Sequence, residues 1–411
     1  MKKTFVSIVL LLSCSLFVSA ADIYVNNSGQ SGTYTSITSA LAAAAPGDRI
    51  FVSPYGDYTE NLTISQSVTL ASAVSGTSFS VIGSLTINGA PNMVVKVVGG
   101  EFSNQCFTSA GTSLFNMADL YLIDCKFTQI NGGDYVRMHV LFCDMGIGNC
   151  TISIRHGEVR GCRVNRISIG DGPNAGVGDT LFIIANECAN ITWNNDDNYF
   201  YIANNYVYRP SFVSNGIGAC FSLNKWYYNS AVNNRLDNNI FSNASTSSSS
   251  STIYIGFGTN SLNNIYAYNN IIENRATCSS TSTNIRAINR TSSTTSGGIQ
   301  LYNNVTTGNY SLGAYSKAGN TLLSNPCSEL TLAVDSGCID SQYCVDKGAP
   351  GLEFYDIDMT RNDIGTYGGP YSKDNYLEVG TGNARIYDLD MPIEIWPGQT
   401  PQVNAKAAHT K

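Results

Sequence analysis

The chain has 411 residues, 43% of them hydrophobic and only 13% charged, with 38 glycines and 24 tyrosines. That balance suits a solenoid or sandwich and argues against a helical bundle, which needs more Lys, Glu and Leu. The formal charge of −7 becomes −9 without Lys2 and Lys3 (−7 − 2), and an acidic chain with scattered cations lacks the basic face that nucleic acid requires.

Read in chain order, "MKKTFVSIVLLLSCSLFVSA" begins with two lysines, runs apolar from Phe5 to Leu12, and ends on the small residues Val18, Ser19 and Ala20. Residues 1–20 therefore read as a secretory signal peptide. A competing reading takes "LLSC" as a lipobox with Cys14 lipidated, although the apolar stretch continues to Val18. No later segment approaches the roughly 18 apolar residues of a membrane helix. The expectation is an exported chain, secreted or at the cell surface, and not transmembrane.

Residues 21–70 read as an N-terminal cap and first coil. The stretch from Tyr34 to Leu70 predicts a helix from about Ser36 to Ala45, a Pro-Gly-Asp turn, a buried strand "RIFV", a turn at Gly56 and a strand at "NLTI".

Over 71–325 the chain repeats. The pattern of two residues, Asn-Asn, apolar recurs with second asparagines Asn205, Asn239, Asn270 and Asn304, spaced by 34, 31 and 34 residues. Upstream the same frame carries Cys125, Cys143 and Cys162, spaced by 18 and 19, with Cys106 lying 19 before the first. A period near 19 with β-branched and aromatic flanks excludes propeller blades and two-helix repeats, leaving a parallel β-helix. Stacked inward asparagines can satisfy one another along the axis, and cysteine fits the same slot. Cys106, Cys125, Cys143 and Cys162 are thus expected to be free and buried, because parallel side chains on adjacent rungs suit a disulfide poorly. The Ser/Thr-rich surplus of the later repeats, at 242–252 and 274–298, maps to one face.

The capping segment at 34–70 resembles the N-terminal cap and first coil of the pectin-lyase-like right-handed parallel β-helix superfamily. The stretch "VDKGAPGLEFYDIDMTRNDIGTYGG" (345–369) resembles the closing segment of its bacterial secreted members. This resemblance covers residues 22 to about 370. It implies an all-β, right-handed parallel β-helix with a capping helix, a closing segment over 326–370 and a small strand-like tail over 371–411. It also brings in the family's polysaccharide chemistries. The Asp, Arg and Gln pattern of pectin methylesterases is absent, and "RHGEVRG" precedes "NNDDN", the reverse of polygalacturonase order. Calcium-dependent lyases want acidic ligands on adjacent rungs and a Lys or Arg base, a role into which only Asp196, Asp197 and Arg209 fit. No cofactor is required, and calcium is optional.

His156 is one of three histidines, with no second titrating group at a repeat-related position, so it reads as structural. The binding candidates are the aromatics Trp193, Tyr199, Tyr201, Tyr206, Tyr208, Trp226 and Tyr227, whose flat faces suit sugar rings; their alternative is an ordinary core or ladder role. Cys338 and Cys344, with Cys327 nearby, are the disulfide candidates, and no metal-ligand spacing such as Cys-x-x-Cys occurs. The tail offers two strand-like runs, "ARIYDL" and "PQVNAKA", which either pack back on the solenoid or join residues 376–411 to a neighbour. The sequence favours surface attachment or glycan binding without catalysis. A polysaccharide lyase or hydrolase and a structural subunit are the alternatives.

Overall fold

The computed structural model describes residues 20–109, 117–170, 179–195, 198–210, 219–226, 234–244, 251–255, 264–275, 286–290, 298–307, 314–324, 338–356, 358–372, 384–390 and 403–409. Within them, thirteen strands from Asp22–Val25 to Ala314–Ala318 form one parallel sheet, here the front sheet. A branched parallel sheet of sixteen strands forms the back and sides, and three short strands, Asp57–Tyr58, Phe79–Val81 and Gly100–Phe102, close an early corner. Successive coils stack residue on residue: Leu122 pairs with Val97 and Val140, Val140 with Val159, and Ile183 with Ile202. This ladder, continued by Leu236 and Leu301, is fully buried. Each aliphatic side chain so buried contributes about 1.5–3 kcal/mol, which makes an inward stripe of Val, Leu and Ile the main support of the solenoid.

The paired asparagines lie where the chain leaves the front sheet. The first position of each turn has a left-handed backbone, at Gly99, Asp124, Phe142, Gly161, Ala185, Asn204, Asn238, Asn269, Asn303 and Gly319, with φ from 53° to 68°. Gly, Asn and Asp tolerate that region, whereas Phe142 and Ala185 hold it against a penalty of about 1–2 kcal/mol. The second position points inward. There the Asn205 carboxamide accepts from the Asn186 amide at 2.9 Å and donates to Asn239 at 2.9 Å, and the chain of carboxamides runs on through Asn270 and Asn304 to Asn320. Cys162 N–H donates to Asn186 Oδ1 at 2.9 Å, so the cysteine and asparagine stretches are one ladder.

Cys106 does not belong to it. The residue is buried and free, but it lies on strand Cys106–Ser109, stacked between Leu85 and Ile130. The slot before Cys125 is held by Gly100. Its carbonyl accepts from Lys126 N–H at 2.9 Å, as Cys143 accepts from Arg163 and Asn239 from Ile271. That coil is 25 residues long (125 − 100), so a count of 19 lands on the wrong strand.

The outward asparagines hold a strap. Asn204 Nδ2 donates to Thr366 and Gly368 carbonyls, Asn238 Nδ2 to Asn362 Oδ1 and Asp363 O at 2.7 Å, and Ala349 N–H to Asn269 Oδ1 at 2.7 Å. Residues 338–372 thus run back along the outside of the coils. A Cys338–Cys344 disulfide lies at the start of this strap, and Ile364 packs on Ile240, Ile271 and Val305; Cys327 lies outside the described residues.

At the N-terminal end the helix is Ile37–Ala43, shorter than the sequence reading, with Ser36 as its cap. The Glu60 carboxylate accepts from Ile37 and Thr38 N–H, and Ile37, Ala40 and Leu41 join the core. Residues 1–19, which hold Cys14 and all of the expected signal peptide except Ala20, lie outside the described residues. The two tail runs pair with each other as an antiparallel hairpin, Ala384–Asp390 with Asn404–His409. Among the described residues no helix is long and apolar enough to cross a membrane.

Candidate functional site

The outer face of the front sheet gathers the titratable groups. One outward row passes through Lys96, Tyr121, His139, Glu158, Phe182, Tyr201 and Arg235, and the row beside it through Asp119, Arg137 and His156. His139 lies between two carboxylates: its Nδ1 is 2.6 Å from Glu158 Oε1 and its Nε2 is 3.6 Å from Asp119 Oδ1. Its ring stacks on Tyr121 with centroids 4.2 Å apart. Arg160 Nε donates to the other oxygen of Glu158 at 2.6 Å, and Arg137 reaches Asp119 at 3.3 Å.

These contacts decide the charges. Burial pulls the His139 imidazole down, but Asp119 and Glu158 together hold it above its ordinary range. Burial pushes Glu158 up, and His139 with Arg160 override it, bringing its carboxyl down to about 2. A carboxylate that acidic is a poor general base at neutral pH. The constellation binds charge in place more readily than it moves protons. Because Glu158 is an acid with a depressed folded value, its contribution is present above its ordinary value of 4.5 and lost as pH falls toward 2. The thermal midpoint is expected to drop across that window, and to drop less in Glu158→Gln.

His156 corrects the sequence reading. It stacks directly on Arg137, which stacks on Asp119, so titrating groups do stand at repeat-related positions. The ring is nevertheless 2% exposed, with Nδ1 3.5 Å from Asn198 Nδ2 and burial holding the imidazole below its ordinary value. Asp196 and Asp197 lie outside the described residues, although Asn195 and Asn198 on either side are buried. The imidazole of His139 lies between the carboxylates of Asp119 and Glu158. Among the described residues no group of three His, Cys, Asp or Glu is arranged to hold a metal ion.

The aromatic candidates divide. Trp193 is fully buried, donates from Nε1 to Asn195 O at 2.8 Å, and packs on Phe200; it is core and offers no face to a sugar. Tyr199 is buried, and Tyr201 is half-buried with Tyr371 and Arg235 against its ring. Arg209 is buried on the inward side with Val207, where burial lowers its affinity for a proton, so it cannot face an external substrate. Trp226 ends strand Phe221–Trp226 and its side chain, like Tyr227, lies outside the description.

Tyr206 and Tyr208 remain. Both point outward, their rings within 4° of parallel and 6.0 Å apart, and Tyr208 is 39% exposed. Glu187 stacks on Tyr206 from the preceding rung, with Arg163 Nε 3.7 Å away. On the other side Ser242 and then Glu273 follow Tyr208 on the next two rungs, both buried; the Glu273 carboxylate takes a hydrogen bond from Ser242 at 2.6 Å and pairs with Arg275 at 2.7 Å. Two parallel rings, Tyr208 exposed and Tyr206 half-buried, form an aromatic strip on the solenoid wall with Glu187, Arg163 and Arg275 nearby.

The sequence reading missed His139, Glu158 and Asp119. The signal was present: Tyr121, His139 and Glu158 each stand four residues before Cys125, Cys143 and Cys162, and Asp119, Arg137 and His156 each stand six before.

No protein-family model and no curated protein matches the sequence. Among solved structures the chain is similar to one titled "Crystal structure of pectate lyase Pel9A", at 15% identity and a TM-score of 0.40, covering 85% of this chain and 96% of that one. The stacked, all-parallel coils themselves fit a pectin-lyase-like parallel β-helix.

Proposed function

We propose that this β-helix is an exported protein that attaches to a polysaccharide or cell-surface glycan without cleaving it. The strip formed by Tyr206 and Tyr208 supports this reading above all else. Pyranose rings present flat C–H faces with a rim of hydroxyls, and parallel tyrosines with Glu187, Arg163 and Arg275 nearby offer matching surfaces. Changing the exposed Tyr208 to alanine is expected to weaken retention on a polysaccharide gel at least tenfold, about 1.4 kcal/mol, and to leave the melting temperature nearly unchanged, whereas Tyr206, packed against the closing core, also carries stability. Equal retention of the variant and the native protein would refute the assignment.

Two observations keep other readings testable. A polysaccharide lyase or hydrolase of the same fold would have to place its chemistry at the Asp119, His139 and Glu158 cluster. Ultraviolet absorbance of an unsaturated product from uronic-acid polymers, lost in His139→Gln, would replace binding with catalysis. Ile386 and Val403 of the tail hairpin are 58% and 53% exposed, which favours assembly through 376–411. Concentration-dependent filaments lost on deleting that segment would establish it.

A further inference from the structure

We propose that Asp119, His139, Glu158 and Arg160 form a proton-operated latch that ties three successive rungs of the front sheet to the C-terminal strap, closed while both imidazole nitrogens carry protons. The linkage is continuous. His139, on strand Val136–Leu141, touches Glu158 on the following rung and faces Asp119 on the preceding one. Glu158 fixes Arg160 Nε at 2.6 Å, and the Arg160 guanidinium lies 5.2 Å from the Phe182 ring and 5.8 Å from the ring of Tyr371 in the strap. One side of Tyr371 also meets Tyr201.

Every charged or titratable neighbour of His139 enters the balance. From its own strand comes Arg137, which also reaches Asp179 at 3.9 Å. The preceding rung supplies Asp119 and Tyr121, with the Lys96 ammonium 5.3 Å from the Tyr121 ring. The following rung supplies His156, Glu158 and Arg160. The charge of Lys406 in the tail hairpin reaches Tyr121. The imidazole nevertheless hydrogen-bonds Glu158 through Nδ1 and turns Nε2 toward Asp119 at 3.6 Å, beyond hydrogen-bond range but close enough for a charge on the ring to be felt by both carboxylates. With one proton gone, the tautomer that keeps Nδ1–H retains the bond to Glu158, and Asp119 faces the Nε2 lone pair. The Glu158 carboxylate then keeps a hydrogen bond but loses an ionic partner, and the hold that it passes to Arg160 and on to Tyr371 weakens.

The sign follows from the direction of the shift. A histidine raised above 6.5 gives stability that is complete below 6.5 and lost as pH rises through its folded value. Asp237, beneath the strap, and Asp356, within it, are both pushed by burial to about 6. Their contributions also fall as pH rises through that value, so the native protein alone cannot isolate His139.

The test combines proton NMR of the three histidines with hydrogen exchange of the strap amides in the full-length protein. One imidazole resonance should titrate above 6.5, disappear in His139→Gln and move to lower pH in Glu158→Gln. Exchange at Gly365 and Gly369, corrected for its intrinsic pH dependence, should quicken between about pH 6 and about pH 8 in the native protein and much less in His139→Gln. Tyr371→Ala, which cuts the far end, should keep the His139 titration and lose its coupling to the strap. A His139 midpoint at or below 6.5 would overturn the proposal, as would an unchanged strap response in both His139→Gln and Tyr371→Ala.

Discussion

Asn270→Asp is expected to destabilise the solenoid by about 3–5 kcal/mol, read as a lower urea midpoint. In the native chain Asn270 Nδ2 donates to Leu236 O at 2.7 Å, Tyr268 O at 2.9 Å and Asn304 Oδ1 at 2.9 Å, while its Oδ1 accepts from Asn239. An aspartate has no N–H to give. It would set carboxylate oxygens against three acceptor oxygens in a fully buried slot, so repulsion and desolvation add to the lost bonds. Asn270→Cys should cost less, because a thiol is uncharged and three earlier rungs hold one at this position. An aspartate variant as stable as the native protein would mean that the slot faces water.

Gly157→Ala is expected to cost about 3 kcal/mol or more. Gly157 sits on strand His156–Arg160 with φ +109°, where an L side chain is strained. A Cβ built there would lie 1.9 Å from the Met138 carbonyl oxygen and 2.7 Å from its carbon. Those atoms are backbone of the neighbouring rung and cannot rotate away, so the two strands must separate. Because Glu158 follows immediately, the same change should pull its carboxylate from His139. Gly146→Ala is the control: φ is +70° but no atom lies within 4 Å, and only the conformational penalty of about 1 kcal/mol remains. Thermal unfolding of the two variants should separate the steric from the conformational cost.

The solenoid could be read from the sequence because its inward ladder repeats one slot filled by Cys early and by Asn, a residue depleted in strands, later, and Asn205, Asn239, Asn270 and Asn304 mark successive rungs by themselves. Asn186 and Asn320 escaped a search for asparagine pairs because Ala185 and Gly319 hold their first positions. Cys106 was misplaced because coil length varies while rung geometry does not. The candidate site was harder to read. Trp193, Tyr199 and Tyr208 look alike as aromatic residues near a turn, yet the pleat sends Trp193 into the core and Tyr208 to solvent, and a one-residue change of register reverses such assignments. His139 looked unremarkable because its partners are 19 and 20 residues away (158 − 139 and 139 − 119), adjacent only once the coils stack.

The asparagine pairs at 204–205, 238–239 and 269–270 each combine two devices, an outward clamp for the strap and an inward step of the ladder. Hydrogen exchange of Asn238→Ala and Asn239→Ala, compared side by side, tests that division most directly. Asn238 donates to Asn362 Oδ1 and Asp363 O at 2.7 Å, whereas Asn239 donates to Ile202 O at 2.8 Å and to Asn270. The expected result is faster exchange confined to residues 346–369 for Asn238→Ala, and faster exchange across the rungs on both sides of residue 239 for Asn239→Ala. The same exchange pattern in both variants would contradict the account.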